Sequence, residues 1–336
     1  MESVLLTTVD ISRPSRRPPK RSKMHIEDID SLSDKLQTAA LDKSTRLHYL
    51  TGFRDYANFC HLHNLALNPS VSTFRRYLAY TFTFCSSGPK YLTGVRHFLL
   101  PLFPDFDSIR NHPSVQAVAK GAAKSRHAPV RRKEPLRVHH LTHFCVLAAR
   151  TGDYDDLLFA TILSCAFYGC HRIGELVHHN NPNNVDWSKV IRRASLDFPR
   201  DDQVAYQLPY SKTDRFFKGS TIVLCHREVA DPVSLLLAYT LRRDRFFNFR
   251  TPLFLLRDGN LPSRSWFEKR LFSHLPRSFG GHSTRSGGAT YYASIGHSER
   301  VIQAMGRWSS NTWAMYIRDN PAVQAELEQA ASRRHA

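Results

Sequence analysis

Apolar residues recur every three or four positions from about Leu32 onward, the period of helices that turn one face inward. Leu47, Leu50, Phe53, Ala57 and Cys60 form one such stripe behind a cap at Asp42 or Ser44. Pro69 and Ser72 begin a second helix, TFRRYLAYTFTF, and a third runs from Tyr91 through YLTGVRHFLLPLF with Pro101 near its end. A shorter one follows His112–Pro113 through VQAVAKGAAK. This pattern predicts a small helical domain over 33–118, with Arg75, Arg76, Lys90, Arg96, Lys120 and Lys124 on the polar faces of its helices.

A second run of elements starts near Leu136. VHHLTHFCVLAART and DYDDLLFATILSCAFYG read as helices, the second apolar all round and therefore buried. Between 186 and 226 the period changes: KVIRRASLDF, QVAYQLPY and STIVL alternate or run apolar over short stretches, as strands do. SKTDRFFKG joins the last two into a hairpin, with Lys212 near the tip of its first strand and Lys218 six residues on. DPVSLLLAYTLRR is a helix opened by Asp231 with Pro232 in its first position, and Ser265 to Phe272 is another. The expected fold is mainly α with a small β-sheet, an α+β domain over 136–336 behind the helical one.

The segments outside these domains are basic. RPSRRPPKRSK (13–23) packs six basic residues and three prolines into eleven positions, so 1–32 reads as a disordered basic tail, a nuclear-localisation or DNA-contacting arm or else a solvated linker. Residues 119–135 read as a basic linker that includes Lys120, Lys124, Arg131, Arg132 and Lys133. The whole chain of 336 residues carries a formal charge of +18, which favours a polyanionic partner, with nucleic acid first. Six cysteines show no C-x-x-C pair, and Cys165, Cys170 and His171 lie in an apolar segment, so we expect reduced core thiols and no metal site. MESVLLTTVD lacks the features of a secretory signal, and LLFATILSCAFYGC is too short to span a bilayer; the expectation is an intracellular protein with no membrane role.

Candidate chemistry concentrates in 281–318, GHSTRSGGATYYASIGHSERVIQAMGRWSSNTWAMYIR. His282 and Arg285 stand three apart at a helix start and are expected to share a face. Gly296 closes that helix, Ser298 and Glu299 open the next, and Gly306 ends it. Trp308 follows in a short connection, and Ser309 or Ser310 caps a final short helix carrying Tyr316. A histidine, an arginine, an indole N–H and a phenol suit a phosphate better than a metal, since all but the phenol are donors and the phenol is a latent nucleophile. Upstream, CHRIGEL (170–176) places Arg172 and Glu175 three apart after the buried helix. Tyr291 and Tyr292 fall mid-helix and read as packing aromatics.

Arg172 with Glu175, the hairpin lysine, His282-x-x-Arg285, Trp308 and then Tyr316 resemble, in that order, the boxes of the tyrosine recombinase (phage integrase-type) superfamily. The GRWSSNT…YIR wording looks most like members carried by eukaryotic mobile elements. The resemblance implies a core-binding (SAM-like) N-terminal domain and a catalytic domain that cuts and rejoins double-stranded DNA through a 3′-phosphotyrosyl intermediate. Arg172 and Arg285 would hold the phosphate, with His282 and Trp308 as further donors. Lys212, or its rival Lys218, would protonate the leaving 5′ oxygen, and Glu175 would hold Arg172 or the His282 neighbourhood in place. It further implies no cofactor or metal, DNA contacts from Arg75, Arg76, Lys120, Lys124, Arg131, Arg132 and Lys133, and nuclear localisation in a eukaryotic host. The polar helix PAVQAELEQAASRR, with Val323, Leu327 and Ala331 in a stripe, could fold back on its own domain or dock on a neighbour, and the resemblance implies the second, in a DNA-bound tetramer. Two other readings remain: a non-cleaving DNA-binding derivative of a mobile element, and a type IB topoisomerase.

Overall fold

In the computed structural model, residues 22–125, 133–211, 214, 218–248, 250–310, 313, 314 and 325 are described. The chain divides into two units, Met1–Pro129 and Val130–Ala336. The first holds helices α1 (Ile26–Ala39), α2 (Lys43–Leu62), α3 (Val71–Phe84), α4 (Gly88–Leu99), α5 (Phe106–Arg110) and α6 (Pro113–Ser125). Its core is aromatic: Tyr56, Phe59, Phe74, Tyr77 and Phe106 pack with Leu92, Val95 and Val115. Ser70 caps α3, its Oγ accepting from the Thr73 N–H at 3.0 Å.

Two boundaries in this unit differ from the sequence reading. Helix α1 begins inside the stretch 1–32 that reads as a tail, and α6 is the expected VQAVAKGAAK helix with Lys120 and Lys124 on it, so the boundary at 118 falls within that helix. In α1, Ile26, Ile29, Leu32 and Leu36 repeat at three or four residues and Glu27 and Asp28 lie in the first turn; the proline-rich stretch N-terminal to it masked that signal.

The second unit is built around α8 (Tyr154–Tyr168), whose residues from Leu158 to Tyr168 are all buried. Asp153 caps it, accepting from the Asp156 N–H at 2.9 Å. Helices α7 (Val138–Thr151), α9 (Pro232–Phe247) and α11 (Ser283–Ser294) pack against it, α10 (Arg264–Phe272) adds Phe267 and Leu271 to the same core, and α12 (Glu299–Met305) follows α11. The sheet is three-stranded and antiparallel in the order β1 (Asp197–Arg200), β2 (Gln203–Leu208), β3 (Ser220–Cys225). Val204, Tyr206 and Leu208 on β2 and Ile222 and Leu224 on β3 face the core, which is the alternation expected of a sheet solvated on one side. The fold is therefore mainly α with a small antiparallel sheet. No helix among the described residues is long and apolar enough to cross a membrane.

KVIRRASLDF is not the strand its pattern predicts. It passes through two 3₁₀ turns, and only its last two residues enter β1. Val190, Ile191 and Leu196 are buried all the same, because the segment is tied to α9 and the loop after it: Arg193 pairs with Asp244 of the helix at 2.8 Å, and the Arg193 N–H meets the Thr251 carbonyl of the loop at 2.7 Å. That loop is gathered by Arg243, which is 0% exposed and donates to the carbonyls of Phe247, Arg250, Pro252 and Leu253 at 2.6 to 3.1 Å. Replacing it removes the donors but not the buried acceptors. Arg243→Met is expected to cost on the order of 3 kcal/mol or more in denaturant unfolding; a loss under about 1 kcal/mol would mean that water reaches those carbonyls.

Candidate active site

The sequence expected a phosphate site from residues scattered over the second unit, and close backbone approaches bring several of them together. A Cβ on Gly287 would lie 2.4 Å from the Leu136 carbonyl oxygen, and one on Gly288 would lie 2.1 Å from that of Phe167. Helix α11 therefore sits with its backbone directly on the end of α8. Its first turn is tied to the same segment, where the Leu136 N–H donates to the Ser283 carbonyl at 2.9 Å. Lys133, at the head of this segment, is exposed; its ammonium donates to the Arg277 carbonyl and its stem runs beside Gly280.

Arg285 projects from this turn into the protein and is only 1% exposed. Its Nη1 donates to the Cys170 carbonyl and its Nη2 to the Gly306 carbonyl, while the ring of Trp308 lies 4.2 Å from the guanidinium carbon. Two residues in left-handed backbone flank this grip: Cys170 at φ 46° and Arg307 at φ 55°. Such conformations cost on the order of 1–3 kcal/mol each in a side-chain-bearing residue and persist where surrounding contacts impose them. Gly306 is required beneath the indole, since a Cβ there would lie 1.7 Å from the Trp308 ring. Burial, and then the charge of Arg172, push the Arg285 guanidinium down to about 10, so it remains charged at neutral pH.

Arg172 caps the 3₁₀ turn Ile173–Glu175 and is 23% exposed at its side chain. Its Nη1 donates to Oε1 of Glu175 at 3.2 Å. Oε2 of the same carboxylate accepts from His171 Nδ1 at 2.9 Å, from Arg307 Nη2 at 2.9 Å and from the Arg172 backbone N–H at 3.3 Å. Glu175 thus meets both the guanidinium and the backbone N–H of Arg172. Burial pushes the Glu175 carboxyl up, but the bond from His171 and the charges of Arg307 and Arg285 outweigh it and hold it down at about 2. Burial, reinforced by Arg307, pushes His171 down to about 4. The neutral ring then donates through Nδ1 to Glu175 and accepts at Nε2 from the Tyr206 hydroxyl, 2.7 Å away on β2.

His171, Tyr206 and Arg307 are site neighbours that sequence reasoning missed. His171 is buried, as expected of a core residue, but both its nitrogens are engaged. Arg307 stands beside Trp308 in the GRW triplet, and that adjacency was the one signal available. His282 and Arg285 part company: His282 precedes the helix with its ring exposed, and Arg285 is interior. Trp308 is buried with Trp313, Ile302 and Tyr292, and the Tyr292 hydroxyl donates to the Tyr168 carbonyl at 2.7 Å as a packing aromatic. Lys212, Tyr316, Arg131, Arg132 and, apart from Ala325, the stretch PAVQAELEQAASRR expected as a helix lie outside the described residues. Lys218 is exposed, beside Asp214, whose carboxylate accepts from the Lys218 and Gly219 N–H groups.

In the first unit, Arg75 and Arg76 are exposed on α3 and Lys120 and Lys124 on α6. Arg96 differs, since Asp107 takes it in a two-bond pair at 2.6 and 2.7 Å. Among the described residues no cluster of three or more His, Cys, Asp or Glu could hold a metal ion. Among the described residues, three guanidinium groups against one carboxylate leave the site at +2 (three minus one, with His171 neutral), an environment that suits a singly or doubly charged anion.

No family model matches the sequence, and no curated protein matches it. Among solved structures, the lambda integrase (residues 75–356) bound to DNA superposes at TM-score 0.53 with 16% identity, over 88% of this chain and 96% of that one. A lambda integrase (75–356) dimer bound to a COC′ core site gives 0.51 with 14% identity, over 89% and 97%. The XerH site-specific recombinase in a post-cleavage complex gives 0.50 with 15% identity, over 81% and 74%. The chain has the fold of these tyrosine recombinases and integrases.

A pH dependence follows from His171. Its folded pKa lies below the unfolded value of about 6.5, so the unfolded chain takes up a proton that the native ring refuses. The stability it contributes is complete above about pH 6.5 and is lost as the pH falls toward 4, by roughly 3 kcal/mol. Glu175 stays ionised across that window. His171→Gln is expected to make the fall in urea-unfolding stability between pH 6.5 and 4 shallower by about one proton; an unchanged slope would show that His171 does not titrate there.

Proposed function

We propose that this chain is a DNA strand-breaking and rejoining enzyme of the site-specific recombinase and integrase type. The observation that carries the reading is the meeting of Arg172 and Arg285. They arrive 113 positions apart in sequence, yet Arg285 donates to the carbonyl of Cys170, two residues before Arg172, in a unit with the integrase fold. A phosphodiester repels nucleophiles and has a strongly basic leaving group, so catalysis needs fixed positive charge, a nucleophile and an acid. Of the five N–H groups of Arg285, carbonyls among the described residues take two, leaving three in a rigid fork. Arg172 has one N–H on Glu175 and four to offer.

In the proposed reaction the Tyr316 oxygen attacks phosphorus and the P–O5′ bond breaks. The phenol proton passes to His282 or to a phosphate oxygen, and Lys212 gives a proton to the departing 5′ oxygen. The 3′-phosphotyrosyl bond conserves the energy of the phosphodiester, so attack by another strand's 5′-hydroxyl rejoins the DNA without ATP. Trp308 supports Arg285 through its ring. Arg75, Arg76, Lys120, Lys124, Arg131, Arg132 and Lys133 add sequence-independent affinity for the duplex. We further read the C-terminal helix as a protomer-exchange element, and the element as mobile in origin and nuclear in a eukaryotic host.

The test uses a pool of random-sequence duplexes, each nicked so that cleavage releases a short fragment and traps the adduct, run on a denaturing gel after incubation in chelator. Wild type is expected to form a covalent adduct and Tyr316→Phe to form none. An adduct with Tyr316→Phe would place the nucleophile elsewhere. DNA binding without an adduct in wild type would mark a non-cleaving derivative, and relaxation of any supercoiled plasmid would favour a topoisomerase. Arg285→Lys should cut adduct formation on the order of a hundredfold with little change in DNA affinity; equal loss of both would make Arg285 a binding residue.

A further inference from the structure

Glu175 is shared unequally. Oε2 has three donors, Arg307 Nη2, His171 Nδ1 and the Arg172 N–H, whereas Oε1 has one, Arg172 Nη1 at 3.2 Å. An arginine and a carboxylate left to themselves close into two parallel bonds, as Arg96 and Asp107 do in the first unit. Arg172 and Glu175 do not, because the second oxygen is already filled. The filling group is itself locked. Arg307 holds left-handed backbone at φ 55°, and its Nη1 is pinned to the carbonyls of Gly169 at 3.2 Å and Met305 at 3.3 Å. His171, the other donor, is uncharged and oriented by Tyr206.

We infer that Arg307 is a positioning residue: by saturating Oε2 of Glu175 it keeps Arg172 from closing into a two-bond pair and leaves that guanidinium free to turn to a phosphate. This rests on the strand-cleavage reading above for its consequence, but not for its geometry. Without Arg307, Oε2 keeps only neutral donors. The carboxylate then draws the second Nη of Arg172, and the guanidinium is spent on Glu175. Arg307 also links the turn that carries Trp308 to the turn that carries Arg172, so both arginines of the phosphate site depend on the Gly306–Trp308 turn keeping its course.

Two sets of measurements on the full chain test this. In single-turnover trapping on the nicked duplex pool, Arg307→Met should slow adduct formation on the order of a hundredfold with DNA affinity unchanged, and Arg307→Lys should stay within about tenfold of wild type. Glu175→Gln added to Arg307→Met should recover at least about tenfold, because a neutral amide no longer captures Arg172; a residue that merely supports the fold would show no such rescue. Thermal melting without DNA gives the second set. Arg172→Met should lower the melting temperature more in the Arg307→Met background than in wild type, and Glu175→Gln should abolish the excess. Should Arg307→Met fail to fold, Arg307→Gln takes its place with the same expectations. Wild-type cleavage by the Arg307 variant, absence of rescue, or additive melting shifts would overturn the proposal. If wild type forms no adduct, the cleavage reading fails and the melting cycle alone decides the role of Arg307.

Discussion

A guanidinium buried to 1% exposure must find acceptors inside the protein, and Arg285 finds two backbone carbonyls from chain reversals far apart in the sequence. One belongs to Cys170, just past the buried helix α8, and the other to Gly306, just past α12. Each carbonyl lies in or next to a residue held in left-handed backbone, so both chain reversals are shaped around one side chain. The charge cannot be left without those acceptors, because an uncompensated buried cation costs several kcal/mol. The site therefore takes its form from the need to solvate Arg285 internally, and Trp308 completes that solvation with its ring.

Backbone contact makes the arrangement possible. Side chains at 287 and 288 would hold α11 away from Leu136 and Phe167, and Arg285 would then fall short of the Cys170 carbonyl. The same compactness explains why His171 stays neutral. It is fully buried beside Arg307 and Glu175, and its protonated form would add a positive group to a site that already has three. A neutral ring with a fixed tautomer instead carries a hydrogen-bond chain from Glu175 to Tyr206, and so from the turn after α8 to the sheet.

The parts of this that the sequence displayed were local. Arg172 and Glu175 are three apart, His282 and Arg285 are three apart, and the apolar run over 157–168 announces a central helix. What stayed hidden was carried by distant pairs. Arg307 meets Glu175 across 132 positions and Tyr206 meets His171 across 35, and no periodicity relates them. KVIRRASLDF misled for a related reason: its apolar residues are buried as in a strand, but Arg193 and the carbonyls gathered by Arg243 draw the backbone into turns. Helix α1 was overlooked because the prolines and basic residues before it dominated the composition of that stretch.

Positive charge serves two separate ends in this chain, and solvent distinguishes them. Arg75, Arg76, Lys120 and Lys124 are exposed, so their attraction to a phosphate backbone falls with salt over a Debye length of about 10 Å at 0.1 M. Arg285 and Arg307 are largely out of reach of counterions, and Arg172 is only partly open. Their field is already oriented during folding, which is what the proposed cleavage step would require of a phosphate site. A chain at +18 could hold DNA with its surface alone. Three guanidinium groups, a neutral histidine and two left-handed turns thus share one interior corner, and its charge is held by contacts within the unit rather than by solvent.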